Sequence, residues 1–274
     1  MGIVYTWDDV REGHIPTLNS FDLVALQLRQ ALAPHTAIES AVICGSVLRR
    51  DHNMRSDIDC VVLYDADQEE SAIQVMQQIG KDAASLHVPV NFVPVDTHLA
   101  ASSMHQLGRS FAHHIKSAVE AGGLVKGNLP GGLAVTQAVP DEVRSYIRAK
   151  AYNLEEGWSS FSIFSQERKA AYLKKMLESP LHIARKVLHF NGLMNGDSKS
   201  EVRDKYSEWA DSTIKNLFEE LLELDGWYTN QLEEQQACSD KTKYRECWDT
   251  LIAGIPMAVS FVRQNALKLG EPYD

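Results

Sequence analysis

Along the first half of the chain, apolar positions switch between two periods. Phe21, Val24, Leu28 and Leu32 recur at helical spacing behind Asn19 and Ser20, which can cap a helix. A continuous apolar run from Ala41 to Cys44 follows and stops at Gly45, the pattern of a buried strand. Ile58 to Tyr64 predicts a second strand, the polar and amphipathic stretch from Asp67 to Leu86 a helix, and Val88 to Val95 a third strand. A further helix is predicted from about Ala100 to Ala121, stopped by Gly122 and Gly123 ahead of a short strand at Leu124 to Lys126. Gly and Pro then cluster between Gly127 and Pro140, and strand-like alternation ends. From Asp141 onward the apolar positions fall at helical spacing: Val143, Ile147 and Leu154, then Leu173, Met176 and Leu177, then Ile214, Phe218 and Leu221, then Trp248, Ile252 and Val259. The expected class is therefore α+β, a mixed-sheet domain over residues 1–128 followed by an all-α helical bundle over 140–274. Pro180 and Pro256 should mark boundaries or kinks in two of its helices.

Composition narrows the class without naming a function. With 44% hydrophobic and 23% charged residues, the 274-residue chain is neither collagen-like, coiled-coil nor disordered throughout. A net charge of −10, negative in both halves, argues against a duplex-DNA-coating protein, whose affinity comes from neutralising phosphates. Cys44, Cys60, Cys238 and Cys247 have no CxxC spacing, which points to packing residues in a reducing, cytoplasmic setting. No apolar run is long enough for a membrane span, so no membrane partner is expected.

Candidate chemistry concentrates in one stretch. Gly45 and Ser46 are followed by nine residues ending at Arg55, then by Ser56, Asp57, Ile58 and Asp59 and the apolar Cys60 to Leu63. A strand that ends in Gly and Ser offers free backbone amides and a hydroxyl where no bulky side chain blocks a polyphosphate. Asp57 and Asp59, two apart at the start of a strand, project from one face while Ile58 and Cys60 face the core. Carboxylates that close repel each other unless a cation lies between them, and hard oxygen ligands suit Mg²⁺.

The Gly45-Ser46 turn with its following SDID run resembles the nucleotidyltransferase fold of the DNA polymerase beta superfamily, over residues 20 to 126. The resemblance implies that Gly45 and Ser46 grip the triphosphate of an NTP, ATP being the nucleotide expected, with Arg49 and Ser56 in the same binding set. It implies that Asp57 and Asp59 hold Mg²⁺ while an acceptor hydroxyl attacks the α-phosphorus and pyrophosphate leaves. Many members that modify small molecules append a helical bundle, which makes a small-molecule acceptor the first expectation.

One position departs from the family pattern. The family's third carboxylate lies on a later strand, and here Val88, Val90 and Phe92 take the buried parity, leaving Asn91 as the positional match. An amide carries no charge and cannot take a proton. Asp96 has the opposite parity and reaches the site only through a bulge or bend, for which Pro94 is the candidate. In the helical half, Arg148 and Lys150 are candidate phosphate contacts, and Glu155 and Glu156 candidate bases, on proximity alone. Two further readings stay open: a nucleotide-binding regulatory protein in which Asn91 has ended turnover, and a toxin- or antitoxin-type transferase acting on protein or tRNA.

Overall fold

The computed structural model describes residues 2–97, 109–128, 140–193, 198–234 and 240–269. In chain order its elements are α1 (Trp7–Glu12), α2 (Leu18–Leu32), β1 (Ile38–Cys44), α3 (Gly45–Arg49), β2 (Ile58–Tyr64), α4 (Glu69–Ala84), β3 (Val90–Asp96), α5 (Arg109–Glu120) and β4 (Leu124–Lys126). The rest is helical: α6 (Pro140–Ser159), α7 (Gln166–Phe190), α8 (Lys199–Trp209), α9 (Ser212–Glu233), α10 (Lys241–Ala253) and α11 (Ile255–Lys268). This is the α+β order expected, a four-stranded mixed sheet followed by helices.

The sheet has strand order β3-β2-β1-β4, with β1 antiparallel to β2 and β4 and β2 parallel to β3. Each central strand is apolar on both sides because both sheet faces are covered. Ile38, Ala41 and Ile43 of β1 and Ile58, Cys60 and Val62 of β2 pack with Phe21, Val24, Leu28 and Leu32 of α2 and with Ala72, Met76 and Ile79 of α4. On the other face Val42, Cys44, Val61, Leu63 and Val95 pack with Ile115 and Ala118 of α5. Burying such side chains fully is worth roughly 1.5–3 kcal/mol each. The two helices on the first face therefore anchor β1 and β2 firmly.

Several local expectations shift in detail. Helix α2 begins at Leu18, so Asn19 and Ser20 lie inside it, and Thr17 takes the cap position. Only residues 109–120 of the helix expected from Ala100 fall among the described residues. Gly122 stops it in a left-handed conformation, φ 83°, and the Gly123 amide donates to Ala118 O. Pro180 lies inside the continuous α7, whereas Pro256 opens α11 behind Gly254.

Contacts divide the chain into Pro16–Ala138 and a second unit formed by Val139–Asp274 together with Met1–Ile15. The sequence division counts residues 1–15 with the sheet, and the structure groups them with the helices for a visible reason. Tyr5 donates its amide to the Tyr228 hydroxyl at 3.2 Å. Its carbonyl accepts from the Tyr244 hydroxyl at 3.0 Å and from Trp248 Nε1 at 3.2 Å. Hydrogen bonds of this length satisfy both backbone groups of a buried residue, which a sequence pattern cannot foresee. Within the helical unit α11 packs against α6, α7 and α9, and Tyr206 of α8 donates to the buried Asn265 of α11. No helix among the described residues is long and apolar enough to cross a membrane.

Candidate active site

At Gly45 the chain leaves β1 and turns at once into α3. Gly45 has φ 83°, a left-handed conformation that L side chains resist. Val47 and Leu48 of α3 pack into opposite faces of the sheet core, which fixes the short helix on the end of β1. Ser46 is half-buried, and among the described residues its hydroxyl makes no hydrogen bond. Arg49 Nε lies 3.3 Å from Asp51 Oδ2. Its Nε is therefore turned to a carboxylate of the same turn.

The segment that delivers the acids is a locked turn. The Asn53 amide donates to Ser56 Oγ at 3.0 Å, the Ser56 amide returns to Asn53 O at 2.9 Å, and the Arg55 amide donates to Asn53 Oδ1 at 2.9 Å. Ser56 is 1% exposed and Arg55 is 0% exposed. Ser56 thus faces inward, and its hydroxyl oxygen accepts from the turn. Ser56→Ala strands the Asn53 amide and is expected to cost about 1–3 kcal/mol of stability. A thermal midpoint read beside the NTP KM checks this: a raised KM at an unchanged midpoint would make Ser56 a nucleotide contact. The Asn53 lock was readable as an Asn-x-x-Ser turn signal ahead of a strand, and the burial of Arg55 had no signal at all.

Asp57 is half-buried just ahead of β2. Asp59 pairs with Cys44 across β1 and with Asn91 across β3. On the α5 face, Leu63, Val61 and Asp59 form one row of β2, and Val95, Val93 and Asn91 form the neighbouring row of β3. Two apolar rows therefore end side by side in an acid and an amide. Asn91 Nδ2 donates to Asp59 Oδ1 at 2.9 Å. The other oxygen lies over Gly45: a Cβ built there would stand 3.0 Å from Asp59 Oδ2. The Asp59 carboxylate is held between the glycine of the turn and the amide of β3. Cys60, next along, faces the opposite core, where burial first and then Cys44 and Asp59 push its thiol far up, so it stays protonated.

Asp96 is not brought to this place. The β2–β3 register runs unshifted from Ile58↔Val90 to Tyr64↔Asp96, straight through Pro94, so the required bulge is absent. Asp96 sits on the opposite face from Asn91 and ~16 Å further along the strand. There it faces Tyr64, whose hydroxyl is pushed up by burial and then by Glu69 and Asp96.

The helical candidates stand on α6 in the other unit. Arg148 is exposed, and Lys150 is half-buried with Nζ 5.7 Å from the centre of the Tyr146 ring. Glu155 accepts from Arg263 Nε at 2.6 Å, an ion pair that keeps it from being a ready base.

Hard oxygen donors from Asp57, Asp59 and the Asn91 amide fit a Mg²⁺ ion by type, and the absence of a Cβ at Gly45 leaves the Asp59 oxygen accessible from that side. Residues 27–107 match the family model described as polymerase beta, nucleotidyltransferase. No curated protein matches the sequence.

Proposed function

From the polymerase beta-like nucleotidyltransferase domain that residues 27–107 carry, we propose that the protein moves a nucleoside monophosphate from an NTP, ATP first among them, to a hydroxyl of a small-molecule acceptor and releases pyrophosphate. The observation that supports this best is the Asp59 carboxylate seated between Gly45 and Asn91, which puts an acid directly beside the turn suited to a phosphate tail. Three buried thiols, Cys44, Cys60 and Cys247, fit a reducing, cytoplasmic setting.

In this reading Asp57 and Asp59 hold Mg²⁺, which supplies charge neutralisation for the attacking and leaving oxygens. Gly45 and Ser46 bind the triphosphate, Gly45 by leaving its backbone open and Ser46 by its hydroxyl. Asn91 fixes the orientation of Asp59 by its donated hydrogen bond and takes no proton. The acceptor oxygen attacks the α-phosphorus in line with the bond to pyrophosphate, and its proton leaves to solvent or to a base outside the sheet.

The test is pyrophosphate release with Mg²⁺, labelled NTPs and a panel of hydroxyl acceptors. Asp57→Asn is expected to abolish release. Asn91→Ala is expected to cost roughly tenfold, the worth of one hydrogen bond to a charged group. A base lost from that position would cost ~10²–10⁴-fold. Asn91 favours one competing reading, a regulatory nucleotide-binding protein, and tight NTP binding without pyrophosphate across the whole panel would establish it in place of the enzyme.

A further inference from the structure

Asp59 sits in the middle of a row that crosses the sheet, with Cys44 of β1 on one side and Asn91 of β3 on the other. Neither neighbour is an acid. The Cys44 thiol is 1% exposed and donates back along its own strand to Val42 O at 3.8 Å. Asn91 turns the donor end of its amide to Asp59, with Nδ2 standing 2.9 Å from Oδ1. Asp96, the one acid of β3, has the opposite parity and lies on the other face. Among the described residues no three His, Cys, Asp or Glu side chains gather into a group that could hold a metal ion. The two oxygens of Asp59 therefore face different company. Oδ2 lies towards Gly45, where a Cβ would stand 3.0 Å away, on the side of the turn suited to a phosphate tail. Oδ1 meets an amide hydrogen, whose partial positive charge repels a cation.

We propose that Asn91 limits this site to one divalent cation, taken on the Oδ2 side of Asp59 beside the phosphate tail, and closes the Oδ1 side to a second. Two-metal phosphoryl-transfer sites hold their ions roughly 3.5–4 Å apart and need anionic oxygens facing both. An amide hydrogen on Oδ1 takes up one of those oxygens, and the amide adds no charge in return. The acceptor hydroxyl then meets no cation on the β3 side, and its proton has to pass to a base or to water. The inference rests on the transferase reading for the phosphate tail, whereas the number of cations held does not depend on turnover.

The probe is Mn²⁺, counted on the full-length protein by equilibrium dialysis, alone and with an ATP analogue that cannot be cleaved between the α- and β-phosphates. Bound analogue is counted beside it. Ions held elsewhere on a chain of net charge −10 are subtracted with the double variant Asp57→Asn, Asp59→Asn in Mn²⁺ alone. The wild type is expected to hold one ion at the site in both arms. Asn91→Asp, which exchanges the amide for a carboxylate of the same shape, is expected to hold two for each bound analogue. No ion or two ions in the wild type, or no gain in Asn91→Asp, overturns the proposal. If Asn91→Asp fails to fold, the ¹⁵N-labelled side-chain amide of wild-type Asn91 decides. Mg²⁺ with the analogue must leave that amide hydrogen-bonded to Asp59, whereas a cation on Oδ1 would release it and shift its signal. An analogue that binds at no Mn²⁺ concentration sinks the transferase reading, and the count in Mn²⁺ alone still tells one ion from two.

Discussion

Replacing Asp59 by Asn should lower pyrophosphate release by about 10³-fold or more while the protein stays folded. The substitution is nearly isosteric, and the amide oxygen of the new side chain can still accept from Asn91 Nδ2, which now reaches Asp59 Oδ1 at 2.9 Å. Packing around it, on Cys44 and Val61, involves no lost volume. What disappears is the charge, at the point where the turn of Gly45 and the row of β3 converge. Charge stabilisation at a phosphoryl centre is worth several kcal/mol, and ~4 kcal/mol corresponds to the loss stated. The checks are steady-state release at saturating Mg²⁺ and NTP, with a thermal midpoint beside it. A variant that keeps a tenth or more of wild-type release would remove Asp59 from the chemistry and leave the turn and sheet as scaffold.

How far the sequence could carry this site depends on what each residue's position obeys. Asn91 was placed correctly by strand parity alone, because Val90 and Phe92 face the α2 and α4 core and force their neighbour to the other side. The strand at Leu124–Lys126 was equally legible between its glycines. Asp96 had to break the same parity rule to be useful, and the unshifted β2–β3 register keeps the rule instead. Ser56 beside two acids reads as a ligand contact, while the donor to its oxygen, the Asn53 amide, is a backbone group that no side-chain pattern reveals. The docking of residues 2–15 on α9 and α10 rests on the backbone groups of Tyr5, and such contacts between distant parts of the chain leave no periodic trace. Local period and parity were readable; pairings separated by many residues were not.

Gly45→Ala is expected to combine a stability loss with a loss of turnover, and a second glycine separates the two effects. Gly45 and Gly122 both hold φ 83°. An alanine pays about 1–2 kcal/mol for a left-handed backbone at either site. At Gly122 the new methyl meets nothing within 4 Å, so the backbone penalty is the whole effect. At Gly45 the methyl stands 3.0 Å from Asp59 Oδ2. The carboxylate cannot rotate away without giving up the bond from Asn91, so either that bond breaks or β1 and α3 shift against β2. Both outcomes move the acid that the proposed chemistry needs in place, and misplacement of about 1 Å can cost ~10²-fold. Thermal midpoints should therefore fall in both Gly45→Ala and Gly122→Ala, further in the first, whereas pyrophosphate release should fall ~10²-fold only in the first. Equal activity in the two folded variants would show that the Asp59 carboxylate tolerates displacement, and the turn and the acid would then not act as one site.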